Sequence, residues 1–206
     1  MTPISAADDG SLRQATAPWF AARPARDTEL VHVVFFGRFT PVQGAPVVGE
    51  AIAKLAGDPR FVFTVVGAGP DLPAAREMAA PNAWVTWREW VPAHEMPDLV
   101  AAHDVCLGIF GTSGEALSLV PTEVYQAAAA GCAVVTSDTA PQRAAFADAA
   151  VLVPAGDPVA LADALGRLAD DPDELTRLRK AARARARERF TSAPAQATGT
   201  QDQLAR

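Results

Sequence analysis

Residues 104–137 read DVCLGIFGTSGEALSLVPTEVYQAAAAGCAVVTS, and this stretch decides the fold. Asp104–Phe110 is an apolar run of strand length, Pro121–Ala130 an alanine-rich helical pattern, and Ala133–Ser137 a second apolar run. Strands with no polar alternation, joined by a helix, belong to a parallel sheet covered on both faces. The same alternation extends outward in both directions. Val31–Gly37, Phe61–Gly67, Trp84–Trp90 and Ala150–Pro154 read as further strands, with helices near Ala45–Leu55, Leu72–Ala79, His94–His103 and Gln142–Asp148. Six such units predict an α/β fold, a single Rossmann-like doubly wound domain with a six-stranded parallel sheet.

Two helices close the pattern. Asp157-Pro158 supplies an N-cap and a first-turn proline for a helix ending near Ala169. Asp171-Pro172-Asp173-Glu174 repeats the device with an acid where a capping box has one, for a helix ending near Phe190. The organisation expected is a poorly ordered linker over 1–30 with Trp19-Phe20 as its apolar anchor, a domain over 31–190, and a flexible tail over 191–206.

The chain has 206 residues, half of them apolar, and a formal charge of −6. An acidic chain lacks the basic face that displaces counterions from nucleic acid. The basic run Leu178–Arg187 reads as the solvated face of a helix. Cys106 and Cys132 lie in or beside apolar runs, without metal-ligand spacing, and read as small core residues. The N-terminus has no signal-peptide pattern and no run is long enough to span a bilayer, so a cytoplasmic soluble protein is expected.

Glu115 and Glu123 stand eight positions apart, one on the loop leaving a strand and one in the first turn of the next helix. Both can face a crevice at the carboxyl end of a parallel sheet. Two acceptors around a helix N-terminus suit a ligand with hydroxyls at both ends and phosphates between. Each acid alone has a plainer reading, as a solvated loop residue or a first-turn residue favoured by the helix dipole. In the turn after the first strand, Gly37-Arg38 through Gly44, the glycines allow tight bends and Arg38 is the only cation, able to grip phosphate through its fork. The alternative there is turn geometry and a solvated arginine.

Other chemistries find little support. Neither Gly37–Gly44 nor Gly67-Ala68-Gly69-Pro70 completes G-x-G-x-x-G, so a dinucleotide site is not expected. Gly108–Gly114 lacks the spacing and the Lys-Ser/Thr of a P-loop and reads as a flexible lip below Glu115. His32, His94 and His103 share no ligand spacing, and the one D-x-D, Asp171-Pro172-Asp173, is explained by capping. No metal site and no cofactor is expected.

From Val31 to Phe190 the chain resembles the C-terminal, nucleotide-sugar-binding domain of retaining GT-B glycosyltransferases of family 4. Six motifs occur in order: Gly37-Arg38, Val66-Gly67-x-Gly69-Pro70, Asp104-Val105, Glu115-x₇-Glu123, Ala130-Gly131 through Asp138, and Val153-Pro154-x-Gly156-Asp157-Pro158. The resemblance implies that Glu123 accepts from ribose hydroxyls and Glu115 from hydroxyls of the transferred sugar. It implies that backbone amides at Leu119 and Val120, with Gly37 and Arg38, hold the distal phosphate, and that the base lies near Val91. The implied reaction moves a sugar from a UDP-, GDP- or ADP-type carrier to a hydroxyl with retention and without a catalytic metal. The chain departs from the family in three ways. Gln43 stands near the family's phosphate-contacting lysine. Ala116-Leu117-Ser118 replaces Gly-Phe-Gly after the first acid. Only one of the two Rossmann-like domains is present. The implied partner is therefore an acceptor-binding N-terminal domain or subunit, through which peripheral membrane association could arise. A non-catalytic nucleotide-sugar or protein-binding module stays open as an alternative, as does an epimerase or phosphorylase of the same architecture.

Overall fold

A computed structural model of the chain describes residues 17–20 and 30–191. Apart from those, the expected linker and tail lie outside the described residues. Six parallel strands form one sheet: β1 (Val31–Arg38), β2 (Phe61–Ala68), β3 (Val85–Arg88), β4 (Val105–Leu107), β5 (Ala133–Ser137) and β6 (Ala150–Val153). Their order is β3-β2-β1-β4-β5-β6, the doubly wound arrangement. Between them run α1 (Ala45–Lys54), α2 (Leu72–Ala79), α3 (Met96–Ala101), α4 (Gly114–Ser118), α5 (Thr122–Ala130) and α6 (Ala140–Phe146). Two helices follow, α7 (Pro158–Asp170) and α8 (Pro172–Thr191).

Alternation along β1 builds two cores. Val33 and Phe35 point into one with Val48 and Ile52 of α1, Ala75 of α2 and Leu161 and Leu165 of α7. Val34 and Phe36 point into the other with Val100 of α3, Val124 of α5 and Phe146 of α6. Both faces of the sheet are therefore covered along its central strands, which is why β1, β4 and β5 are mostly apolar and buried. Residues 17–20 form a 3-10 turn that seats Trp19 on the second core, its ring stacked 5.7 Å from that of Phe36. Ala127 to Ala130 are fully buried, and their small side chains let α5 pack closely.

Caps and cations refine the reading of the last helices. Asp157 caps α7 as expected, accepting from the N–H groups of Val159 (3.0 Å) and Ala160 (2.9 Å). Asp171 caps α8 by accepting from Glu174 N–H at 2.9 Å, but the reciprocal half of a capping box is missing. The Glu174 carboxylate is engaged by the Arg177 guanidinium instead, at 2.6 and 2.7 Å. Nor is the basic run simply a solvated face. Arg179 donates to the carbonyl of Gly131 beyond the end of α5, Arg185 to Ala145 in the last turn of α6, and Arg183 to Phe20. These arginines tie α8 to carbonyls that the helix ends leave unpaired. Cys106 and Cys132 are buried free thiols, and burial pushes that of Cys106 well above its usual range.

Candidate functional site

The strand order reverses between β1 and β4, so a crevice opens beyond their carboxyl ends. A cleft of about 540 Å³ lies there. Arg38, Gln43, Glu115, Leu119 and Glu123 all line it, so two loops far apart in sequence meet at one place. Gly37, Val120 and Val91 do not line it. Gly37 lies immediately beneath, while Val120 and Val91 are half-buried against the second core.

Backbone hydrogen bonds hold the cleft floor. Phe110 N–H donates to Gln43 C=O at 2.9 Å, Gly156 N–H to Phe110 C=O at 2.9 Å, and Ser137 N–H to Ile109 C=O at 3.1 Å. The loops after β1, β4, β5 and β6 are thus stitched at the sheet's carboxyl rim. Gly44 caps α1 with φ 69°, and a Cβ there would stand 2.6 Å from the backbone of Phe110 and Gly111. At Gly37 (φ 142°) a Cβ would collide with the Gln43 side-chain amide. Gly44 thus serves the close approach of the β1 loop to the β4 loop, and Gly37 makes room for Gln43 within the β1 loop.

The expected flexible lip is shorter than its composition implies. Ile109 and Phe110 are fully buried and bonded, so only residues from Thr112 onward stand free of the floor. The next segment is a helical turn and not a loop, because Ser113 caps α4 by accepting from Ala116 N–H at 3.2 Å. Glu115 sits on this turn and is exposed, as are Leu117 and Ser118, whereas Ala116 is buried. The side chain at 116 therefore points into the protein, away from any ligand in the cleft.

Glu123 differs in every respect. Pro121 is the residue before α5, in extended conformation, and Glu123 follows in the first turn, half-buried. Burial pushes its carboxyl above the usual range, a shift partly offset by its own backbone N–H. Gln43, in the wall of the cleft, is 7% exposed, and its buried side-chain oxygen has no hydrogen-bond partner. Arg38 is exposed at the rim. The cleft thus offers a guanidinium, two carboxylates, an amide and the N-terminus of α5, a set able to receive both phosphate and hydroxyl groups.

Sequence reading missed Thr40, Ser113 and Thr122, which add hydroxyls to the lining. Each lies within the two loops already singled out. The histidines stay outside: His103 is buried, with its ring nitrogens 2.8 Å from Leu99 C=O and 2.8 Å from Thr64 Oγ1, and His94 is on the surface. Among the described residues, no three His, Cys, Asp or Glu side chains gather as a metal-holding group. Among the same residues, no helix is long and apolar enough to cross a membrane.

The family model described as "Glycosyl transferases group 1" matches residues 31–171, and the chain belongs to that family. Comparison with curated protein sequences finds no match. Solved structures of similar fold include sucrose-phosphate synthase from Thermosynechococcus elongatus, at 22% identity and TM-score 0.65, covering 78% of this chain and 41% of the synthase. Anabaena HepE in complex with UDP-glucose matches at 19% identity and TM-score 0.66, over 91% of this chain and 50% of HepE. The C-terminal domain of the LpcC group 1 glycosyl transferase from Francisella tularensis matches at 20% identity and TM-score 0.64, over 78% of this chain and 86% of that domain. At such identities the likeness is one of fold. The chain spans about half or less of the two longer relatives and most of the isolated C-terminal domain.

Proposed function

We propose that this domain is the donor-binding half of a retaining, family-4-type GT-B glycosyltransferase, and that the cleft takes a nucleoside diphosphate sugar. The observation that carries this reading is the meeting of Arg38 with Glu115 and Glu123 in one cleft at the switch point of the sheet. In it, the Glu123 carboxylate accepts from the two ribose hydroxyls and Glu115 from hydroxyls of the sugar. The diphosphate lies between them, against the backbone at Leu119 and Val120 and the Arg38 guanidinium. As the sugar–phosphate bond breaks, charge grows on the departing diphosphate, and the N-terminus of α5 with Arg38 stabilises it where other enzymes use a divalent cation. The base is placed near Val91. HepE is described in complex with UDP and with UDP-glucose, which makes UDP the first nucleotide to try.

The acceptor and its hydroxyl are assigned to a second Rossmann-like domain or subunit, and the domain alone is expected to bind donor without turning it over. We place the protein in the cytoplasm. Calorimetric titration with UDP, GDP and ADP tests the reading. Binding of one of them below millimolar concentration is the expected result, and no binding of any at millimolar concentration refutes it.

A further inference from the structure

Gly67-Ala68-Gly69-Pro70, at the end of β2, is a sequence motif that supplies no lining residue to the donor cleft. Its backbone is turned toward β1 instead. Phe39 N–H donates to Ala68 C=O at 3.1 Å, and Asp71 N–H donates to Phe39 C=O at 3.0 Å. Both main-chain groups of Phe39 are thus held by the β2 loop. A Cβ on Gly69 would collide with the Phe39 carbonyl oxygen and stand 2.9 Å from the Phe39 nitrogen. The obstacle is backbone, which cannot swing aside as the end of a side chain can. The Phe39 ring is fully buried in the first core, stacked 5.2 Å from that of Phe35. Phe39 is therefore a peg gripped by the β2 loop and by the core, and its neighbours Arg38 and Thr40 both line the cleft. The tether runs on from there: Gln43 N–H donates to Thr40 C=O at 2.9 Å, and Gln43 C=O accepts from Phe110 N–H.

We propose, on the basis of the donor reading above, that Gly69 acts through Phe39 as a positioning residue for the phosphate end of the cleft. The lever is short. Arg38 and Thr40 are each one peptide from the gripped residue, about 3.8 Å between Cα atoms, so a displaced Phe39 carries both with it. Charge-assisted hydrogen bonds are short, at about 2.7–2.9 Å, and do not survive such a displacement intact. A phosphate site belonging to the turn itself is opposed by its bonding. The N–H groups of Asp71 and Leu72, where α2 begins, are spent on Phe39 C=O and Gly69 C=O, and Asp71 places a carboxylate beside them. What the turn can do is fix the β1 loop from behind.

Calorimetry on the full chain, with whichever of UDP, GDP and ADP binds, tests this. Gly69→Ala should weaken binding about fivefold and flatten its dependence on salt, because the Arg38 guanidinium no longer meets phosphate. Adding Arg38→Ala to it should then cost less than about twofold, where independent losses would multiply. Gly166→Ala on α7, whose Cβ would meet nothing, should leave affinity unchanged. Phe39→Leu moves the same peg without touching the glycine and should also weaken binding severalfold. Phe63→Leu trims an equally buried ring of the same core and should lower Tm alone. Nucleotide binding that Gly69→Ala and Phe39→Leu leave unchanged overturns the positioning role while the donor reading stands. So do losses that multiply with that of Arg38→Ala. Absence of nucleotide binding by the wild-type chain removes the donor reading, and the positioning role with it.

Discussion

Glu123 stands in the first turn of the nine-residue α5, whose residues Ala127 to Ala130 have no exposed surface, while Glu115 stands on the five-residue α4, where every residue but Ala116 is exposed. Both line the same cleft. The first is held by the second hydrophobic core, so its position follows from the packing of the whole domain. The second is held by one Ser113 cap and the buried Ala116. A helix of one turn has little stability of its own. In the proposed donor pose, this contrast puts the rigid part of the cleft at the nucleoside end and the adjustable part at the sugar end.

The largest effect should come from the rigid side. Glu123→Ala is expected to weaken nucleoside diphosphate binding about tenfold or more, since a charge-assisted hydrogen bond contributes roughly 1.5–3 kcal/mol. Calorimetry measures this, and equal affinity would remove Glu123 from the ribose role. Arg38→Ala should cost a few-fold, an effect that fades as salt is raised because the guanidinium is exposed. A salt-independent loss would mean that Arg38 shapes the loop and does not face phosphate. Glu115→Ala should leave the bare nucleotide's affinity unchanged and weaken only the sugar-bearing donor, by less than the Glu123 loss because its exposed carboxylate is well solvated without the sugar. Equal losses for both ligands would erase the division between the two ends.

The smallest expected effect is on stability. Burial raises the Glu123 carboxyl, so the folded state holds its proton more tightly than the unfolded chain. The stability this gives is complete below the usual carboxyl range, near about 4.3, and is lost as pH rises through the raised value. Glu123→Gln, which carries no charge to desolvate, should therefore raise Tm at neutral pH by about 1–3 °C, with the gap closing toward pH 4. A fall in Tm at neutral pH would mean that the carboxylate is better solvated or paired than its burial implies. One residue that lowers stability while aiding binding is the trade-off expected of a ligand site.

Much of this was legible from residues alone, because apolar strand runs and helical spacing carry the doubly wound pattern directly. All six strands fall where the runs lie; β1 and β2 run one residue further than expected, β6 stops one residue earlier, and β3 and β4 are shortened at both ends. Trp84–Trp90 contracts to Val85–Arg88, since an edge strand has neighbours on one side only. Asp104–Phe110 contracts to Val105–Leu107, since Phe110 turns its N–H from the ladder to Gln43. The cleft was legible in part: Glu115 and Glu123 are near each other in sequence, and Arg38 follows the first strand. That the β1 loop presses on the β4 loop through Gly44, and that Gln43 is buried with its oxygen unpaired, depends on packing between distant segments. The helical turn at Glu115 was missed because five residues leave no periodicity to detect; only its Ser113 cap marks it.

Mapping of backbone amide shifts by NMR, during titration of the wild-type chain with UDP, tests most directly where the nucleotide lies. The amides of Arg38–Gly44 and Leu119–Glu123 should move together and saturate together, with that of Val91 beside the base, while those of Glu95–His103 stay in place. Shifts concentrated elsewhere on the domain, or none at millimolar UDP, GDP and ADP alike, would contradict it.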